Sequence, residues 1–343
     1  MFSKKINISN LTLSKEKKAL VIAEIGINHE GEFLRCIKMI QKAHNSGADL
    51  VKLQVADPAS NYLNNTNSFK LFSKSMLSKE DIFNIYKFCK SKNIKIFSTF
   101  DKKNYDFFKK LNQACYKISS SLFYDYFFIK DILKLNKPVF ISTGVSDLED
   151  IDSLLNLLKK QKNKKIILLH SRSLYPSDFD SLNLSRISYL NSKYNILTGF
   201  SDHSLGIDAS AASIHYGSKV IEKHFTLDKT KSGYDHKISL EPETFKKMIE
   251  NIRKNELMVG IPNFRIKDYK YEFEKIKKIS RQFLVTKDIN KNSFIKRDDF
   301  KLVRAKSYKN FVQFNQMIKK ILNSKIKKNL KSGEFLRLKD FKG

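Results

Sequence analysis

The chain has 343 residues, 41% of them hydrophobic, which is enough for one large α/β domain and a small second one. No window approaches the roughly 20 apolar residues of a membrane helix. The start, MFSKKINISN, has neither an apolar stretch nor a small-residue cleavage site, so it does not read as a signal peptide. Lysine and arginine number 65 against 35 acids, a formal net charge of +30. The excess is mostly lysine and spares no segment. It therefore argues against a nucleic-acid surface and for a compositional bias that attracts small anionic substrates. Cys36, Cys89 and Cys115 form no C-x-x-C pair, which argues against a disulfide framework or zinc site and fits a reducing cytoplasm.

In chain order, one unit recurs: a short apolar run, then a stretch with helical spacing. The runs cover 19–26, 49–55, 95–100, 115–120, 138–143, 165–170, 195–201 and 219–225. Amphipathic stretches cover 33–46, 79–91, 147–161 and 207–216, and a further helix covers 242–255. Leu154, Leu155 and Leu158 show the helical repeat, with Ser146 or Asp147 as its N-cap. Strands alternating with helices predict a parallel sheet, and eight units predict a (β/α)8 TIM barrel over 1–260, with a doubly wound open sheet as the rival. Residues 261–280 read as a linker. Residues 281–343 read as a small β-rich module, in which a polar turn, an apolar residue and Asp-Phe occur twice.

In a TIM barrel the chemistry sits at the C-terminal ends of the strands. Here those ends carry Glu24; Lys52 and Gln54; Ser98 and Thr99; Lys117, Ser119 and Ser120; Ser142 and Thr143; His170; Ser201, Asp202 and His203; Glu222 and His224. A carboxylate inside the apolar run VIAEIG is explained if Glu24 faces a pocket. Lys52 and Lys117 with nearby hydroxyls suit a phosphate or carboxylate. His203 and His224, on adjacent strands near carboxylates, suit a divalent metal that polarises a carbonyl. His29, His44 and His215 read as structural or surface residues, and His170 stays open. The residues alone reach metal-assisted chemistry on an anionic substrate.

The motifs AEIGINHEG, GADLVKLQ, FSTF, YKISS, FISTG, SDHS and IEKHFTLDKTKSGYDHKISLEP together resemble the sialic acid (nonulosonic acid) synthases. The tail, with LVTKDINKN and GEFLRLKDF, resembles the antifreeze-like (SAF) domain that ends those enzymes. The resemblance implies condensation of phosphoenolpyruvate with N-acetylmannosamine or a 2,4-diacetamido relative, giving a nine-carbon 2-keto acid and phosphate. It implies that Lys52, Thr99, Lys117, Ser120, Ser142 and Ser201 hold phosphoenolpyruvate, and that His203 and His224 hold Mn2+ or Mg2+. By the same resemblance Glu24 handles a proton near the reacting carbons, Glu222 and Asp235 orient the sugar, and Gln54 and Tyr175 lie near it. Arg304 is implied to reach the partner subunit's site in a domain-swapped homodimer.

Three positions depart from the family pattern. Asp101 stands after FSTF without the usual proline arrangement, Leu122 stands where an acid is usual, and Ala305–Tyr308 replace a PG-x-G turn. Val55, Ala56 and residues 60–72 are where the choice of acceptor is expected. Two other readings stay open on the sequence: a condensing barrel acting on another aldose, and an impaired relative with a binding role.

Overall fold

The computed structural model describes residues 1–260, 281–304 and 314–342. The chain divides into two compact units, Met1–Gly260 and Ile261–Gly343. The expected linker, 261–280, and the turn at 305–308 lie outside the described residues.

The first unit opens with an antiparallel hairpin, β1 (Lys5–Ile8) and β2 (Leu11–Ser14), which the sequence reading did not foresee. Eight parallel strands then close into a barrel: β3 (Leu20–Gly26), β4 (Leu50–Val55), β5 (Ile96–Phe100), β6 (Tyr116–Ile118), β7 (Val139–Ser142), β8 (Ile166–Ser171), β9 (Leu197–Asp202) and β10 (Val220–His224). Each expected run overlaps one of these strands, with β8 and β9 continuing one residue further, to Ser171 and Asp202, and β10 pairs back onto β3. The open-sheet alternative is thereby excluded.

The helices are α1 (Phe33–Asn45), α2 (Pro58–Asn61), α3 (Asn67–Lys74), α4 (Lys79–Ser91), α5 (Tyr105–Leu111), α6 (Tyr126–Lys134), α7 (Leu148–Leu158), α8 (Ser185–Tyr194), α9 (Asp208–Ala212) and α10 (Pro242–Val259). Asp147, not Ser146, caps α7: its side chain accepts from the Asp150 N–H, and Asp150 returns the contact in a capping box. Helices α5, α6 and α8 fill further connections between strands, in keeping with the recurring strand-helix unit. No described helix is long and apolar enough to cross a membrane.

Strand alternation sorts the barrel residues. Val51 and Leu53 point outward and pack with Met39, Ile40 and Ile85 of α1 and α4. Leu20, Ile22, Leu50, Phe97, Phe140, Leu169 and Leu197 point inward, in one cluster with Ile6, Ile8 and Leu13 of the hairpin. The hairpin thus closes the N-terminal mouth with apolar side chains, each worth about 1.5–3 kcal/mol when fully buried. Gly199 is required in this layer, because a Cβ there would meet the Val220 carbonyl oxygen at 2.4 Å. Further up the same inward columns the side chains become polar.

In the second unit β11 (Arg281–Val285) pairs antiparallel with β12 (Phe300–Arg304), and a helix runs over Phe314–Asn323. Phe283, Val285, Ile289, Met317, Leu330 and Phe341 share its core. The twofold sequence pattern has a structural counterpart. Buried Asp299 accepts from the Lys296 N–H at 2.6 Å, and buried Asp340 accepts from the Arg337 N–H at 2.8 Å. A phenylalanine follows each aspartate.

Candidate active site

The inward columns of β3, β4, β5, β6, β7, β9 and β10 carry Glu24, Lys52, Thr99, Lys117, Ser142, Ser201 and Glu222 toward their C-terminal ends, all buried. Register brings them level: His224 pairs with Glu24, Glu24 with Lys52, Thr99 with Lys117 and Glu222 with Ser201. The inward-facing members of the sequence-predicted set therefore form one ring at the C-terminal mouth.

Glu222 is the centre of the ring. Its Oε1 accepts from Lys117 Nζ at 2.7 Å and from Ser201 Oγ at 2.8 Å. Its Oε2 lies 2.9 Å from Lys52 Nζ, and Lys52 also pairs with Glu24 Oε2. Two ammoniums and two carboxylates thus neutralise one another out of water, a condition for keeping charges buried. Burial alone would raise the Glu222 carboxyl, but Lys117 and Lys52 outweigh it and hold Glu222 well below the usual carboxylate range. Burial lowers the Lys52 ammonium to about 7, against the opposing pull of Glu222. Glu24 Oε1 has no hydrogen-bond partner. It lies beside Gly26, where a Cβ would stand 3.3 Å from that oxygen and 3.8 Å from both Asp235 Oδ2 and His224 Cε1. Gly26 adopts φ +54°, so this crowded corner favours a residue without a side chain.

His203 and His224 face one another with ring centroids 5.6 Å apart. His203 Nδ1 lies 2.6 Å from the Arg172 carbonyl, which can only accept, so Nδ1 carries the proton and Nε2 presents a lone pair. Burial lowers the His203 imidazole to about 4, so the ring is neutral near pH 7. Burial and neighbouring His203 and Lys52 push His224 well below the ordinary histidine value, and its Nδ1 is buried without a hydrogen bond, 3.6 Å from Asp235 Oδ2. Two neutral imidazoles beside a carboxylate, His224 with Nδ1 unpaired and His203 with Nε2 met only by hydroxyls, are the donor chemistry of a divalent ion. Among the described residues no three His, Cys, Asp or Glu side chains are drawn together as a complete ligand set. A hard ion such as Mg2+ is commonly held by few protein groups and keeps several waters. Tyr175 covers the His203 ring at 4.2 Å between centroids, and its hydroxyl is 3.1 Å from Nε2.

Beside the ring lies a cradle of hydroxyls. The Gly144 N–H donates to Ser120 Oγ at 3.0 Å. A Cβ on Gly144 would stand 2.6 Å from Ser173 Oγ, 2.7 Å from Ser171 Oγ and 2.8 Å from Ser120 Oγ. Ser171 and Ser173 were missed because the sequence reading ended the sixth run at His170. The strand continues to Ser171, and the inward series Ile167, Leu169, Ser171 carries the signal.

That phase also corrects three strand-end residues. His170 faces outward, with Nε2 2.7 Å from the Leu182 carbonyl and its ring against Phe200. Ser98 faces outward and meets Tyr86 at 2.8 Å. Asp202 faces outward and pairs with Lys223. None of them belongs to the ring.

Gln54 stands at the rim of β4 and lines a cavity of about 190 Å3 with Val55, Ala56, Phe72 and Lys103. Asp235 lies on the loop after β10; its N–H donates to Asn28 Oδ1 at 3.0 Å, and Asn28 Nδ2 donates to the Phe225 carbonyl at 3.0 Å. Leu122 packs against the apolar cluster that includes Phe123 and Ile118, which is why a leucine suits this position. Arg304 ends β12 in the second unit and is exposed there.

Comparison with known proteins agrees with this geometry. A family model described as the NeuB family matches residues 39–263. An N,N'-diacetyllegionaminic acid synthase of Campylobacter jejuni is 33% identical, over 94% of this chain and 99% of that protein. A pseudaminic acid synthase of the same species is 30% identical, over 95% of this chain and 97% of that protein. Among solved structures, an N-acetylneuraminic acid (sialic acid) synthetase from Leptospira borgpetersenii, in complex with citrate, superposes with a TM-score of 0.74 at 27% identity, covering 79% of this chain and 97% of that one. The ring of charged and hydroxyl side chains thus sits in a barrel whose sequence and shape are those of nonulosonic acid synthases, and the chain belongs to the NeuB family.

Proposed function

We propose that the protein condenses phosphoenolpyruvate with an N-acetylated amino-hexose and water, giving a nonulosonic acid and inorganic phosphate. The observation that carries this reading is the pair Lys52 and Lys117, held charge-balanced on Glu222 beside the Ser120–Gly144–Ser171–Ser173 cradle. An incoming phosphate and carboxylate would take over the ammoniums, and the hydroxyls of Thr99, Ser120, Ser142 and Ser201 would complete their hydrogen bonds. The enol carbon would then bond to the aldehyde carbon of the open-chain sugar. Water adds to C2, and phosphate leaves by C–O cleavage.

His203 and His224 would hold a divalent ion, Mn2+ or Mg2+, which supplies polarisation of the aldehyde oxygen. Glu24, with one oxygen held by Lys52 and the other unpaired, would move a proton at the reacting carbons. Displacement of Lys52 and Lys117 toward the anion would free Glu222 to accept from a sugar hydroxyl. Asp235, raised to about 6 by burial, would do the same from the loop after β10. Tyr175 would cover the site. Gln54 and the cavity beside it would read the acceptor's substituents, which leaves Val55, Ala56 and Phe72 to choose between acceptors. The module 281–343 would act as the SAF domain, with Arg304 serving the partner subunit of a domain-swapped homodimer joined through 261–280. A cytoplasmic setting fits three buried free cysteines.

The test is phosphate release from phosphoenolpyruvate with Mn2+ and each of three acceptors: N-acetylmannosamine and the two diacetamido-trideoxyhexoses leading to legionaminic and pseudaminic acid. Release that depends on one acceptor establishes the reaction and names the product. No release with any of them, from folded protein, overturns the reading.

A further inference from the structure

Two charged side chains lie on the outer wall of the barrel, behind the histidines. Asp202 and Lys223 are both wholly buried, a position that isolated charges rarely occupy. They pair directly across β9 and β10, with Lys223 Nζ 3.1 Å from Asp202 Oδ2. Each also grips the backbone around His203. Asp202 Oδ1 accepts from the Ser204 N–H at 2.8 Å and from Ser204 Oγ at 2.7 Å, while Lys223 Nζ donates to the Ser204 carbonyl at 2.6 Å. Ser210 of α9 fixes the remaining carboxylate oxygen, donating to Asp202 Oδ2 at 2.6 Å. Both polar groups of the Ser204 main chain are thereby tied to one ion pair. Lys223 is the residue before His224, so the same pair sets the spacing between the two strand ends that carry the imidazoles.

We infer that Asp202 and Lys223 are positioning residues, a buried clamp that fixes His203 and His224 at the separation a shared divalent ion requires. The inference rests on the reading of those histidines as metal ligands. A buried ion pair is a poor device for stability alone, since apolar or neutral replacements of similar volume are often tolerated. Outer partners that orient ligands, in contrast, typically change metal affinity 10–100-fold when lost.

The test is the double variant Asp202→Asn/Lys223→Met, which removes both charges together and keeps volume. Mn2+ affinity is read by electron paramagnetic resonance, and the His203 and His224 ring nitrogens are read by NMR in metal-free protein. We expect about a tenfold or larger rise in Kd for Mn2+, displaced or broadened ring signals, and a fall in kcat with little change in KM for phosphoenolpyruvate. A folded double variant with unchanged Mn2+ affinity and superimposable ring signals overturns the inference. If the wild-type protein binds no Mn2+ at these histidines, the metal reading fails, and the ring signals alone still decide whether the clamp positions the imidazoles. If the double variant does not fold, Ser210→Ala decides by the same signals: displacement supports the clamp, and identity with wild type overturns it.

Discussion

Lys117 Nζ lies 2.7 Å from Glu222 Oε1 across the barrel mouth, and 105 residues of chain separate the two. Glu222 holds this lysine and Lys52 together in the free protein, so the proposed anion site gathers both lysines before substrate arrives. Lys117→Ala should raise KM for phosphoenolpyruvate roughly 10–150-fold, since hydrogen bonds to charged groups are worth about 1.5–3 kcal/mol. Initial-rate kinetics at saturating acceptor check this, and an unchanged KM would remove Lys117 from the phosphate site.

The Lys52 ammonium, lowered to about 7, sets a pH dependence. Below about pH 7 it is charged in the free site and ready for an anion. Above that it must gain a proton on binding, so KM for phosphoenolpyruvate should rise by up to tenfold per pH unit. Because the folded value lies below the unfolded one, the unfolded chain binds more protons between these values. Stability from this group is therefore lowest below about pH 7 and recovers as the pH rises toward 10.5. The pH profile of Lys52→Arg should lose the step; a profile identical to wild type would exclude Lys52 as its origin.

Gly144→Ala places a methyl within 2.8 Å of three serine hydroxyls. The cradle must widen, and KM for phosphoenolpyruvate should rise at least tenfold while the acceptor's KM stays within about twofold. A change confined to the acceptor would place the cradle on the sugar side.

His203→Ala should abolish Mn2+-dependent turnover, with a loss of at least about a thousandfold, because a metal supplies several kcal/mol of charge stabilisation. Chelation of wild-type protein should do the same and be reversed by Mn2+. Near-normal turnover by the variant would sink the ligand assignment.

Mixing two inactive variants tests the exchange of small domains. If Arg304 serves the partner, a heterodimer of His203→Ala with Arg304→Ala contains one intact site, and activity should appear after subunit exchange. Persistent inactivity of verified heterodimers would mean that Arg304 acts within its own chain, and full activity of Arg304→Ala by itself would remove it from the site.

The sequence by itself determined the barrel and most of the ring. Apolar runs separated by helical patterns leave one economical way to bury a parallel sheet, and polar side chains recurring at the strand ends mark its open mouth. The hairpin that plugs the opposite mouth was not legible, because four-residue strands carry too little periodicity. Only the tertiary structure decided which polar residues face inward. His170 and Ser98 share strand ends with Ser171 and Thr99, and a shift of one residue reverses the face. Only it revealed that Glu222 binds both lysines, that Gly144 is ringed by serines, and that Asp202 and Lys223 meet behind the histidines. Those contacts join residues far apart in the chain, and closure of the barrel, rather than any local pattern, brings them within hydrogen-bond reach.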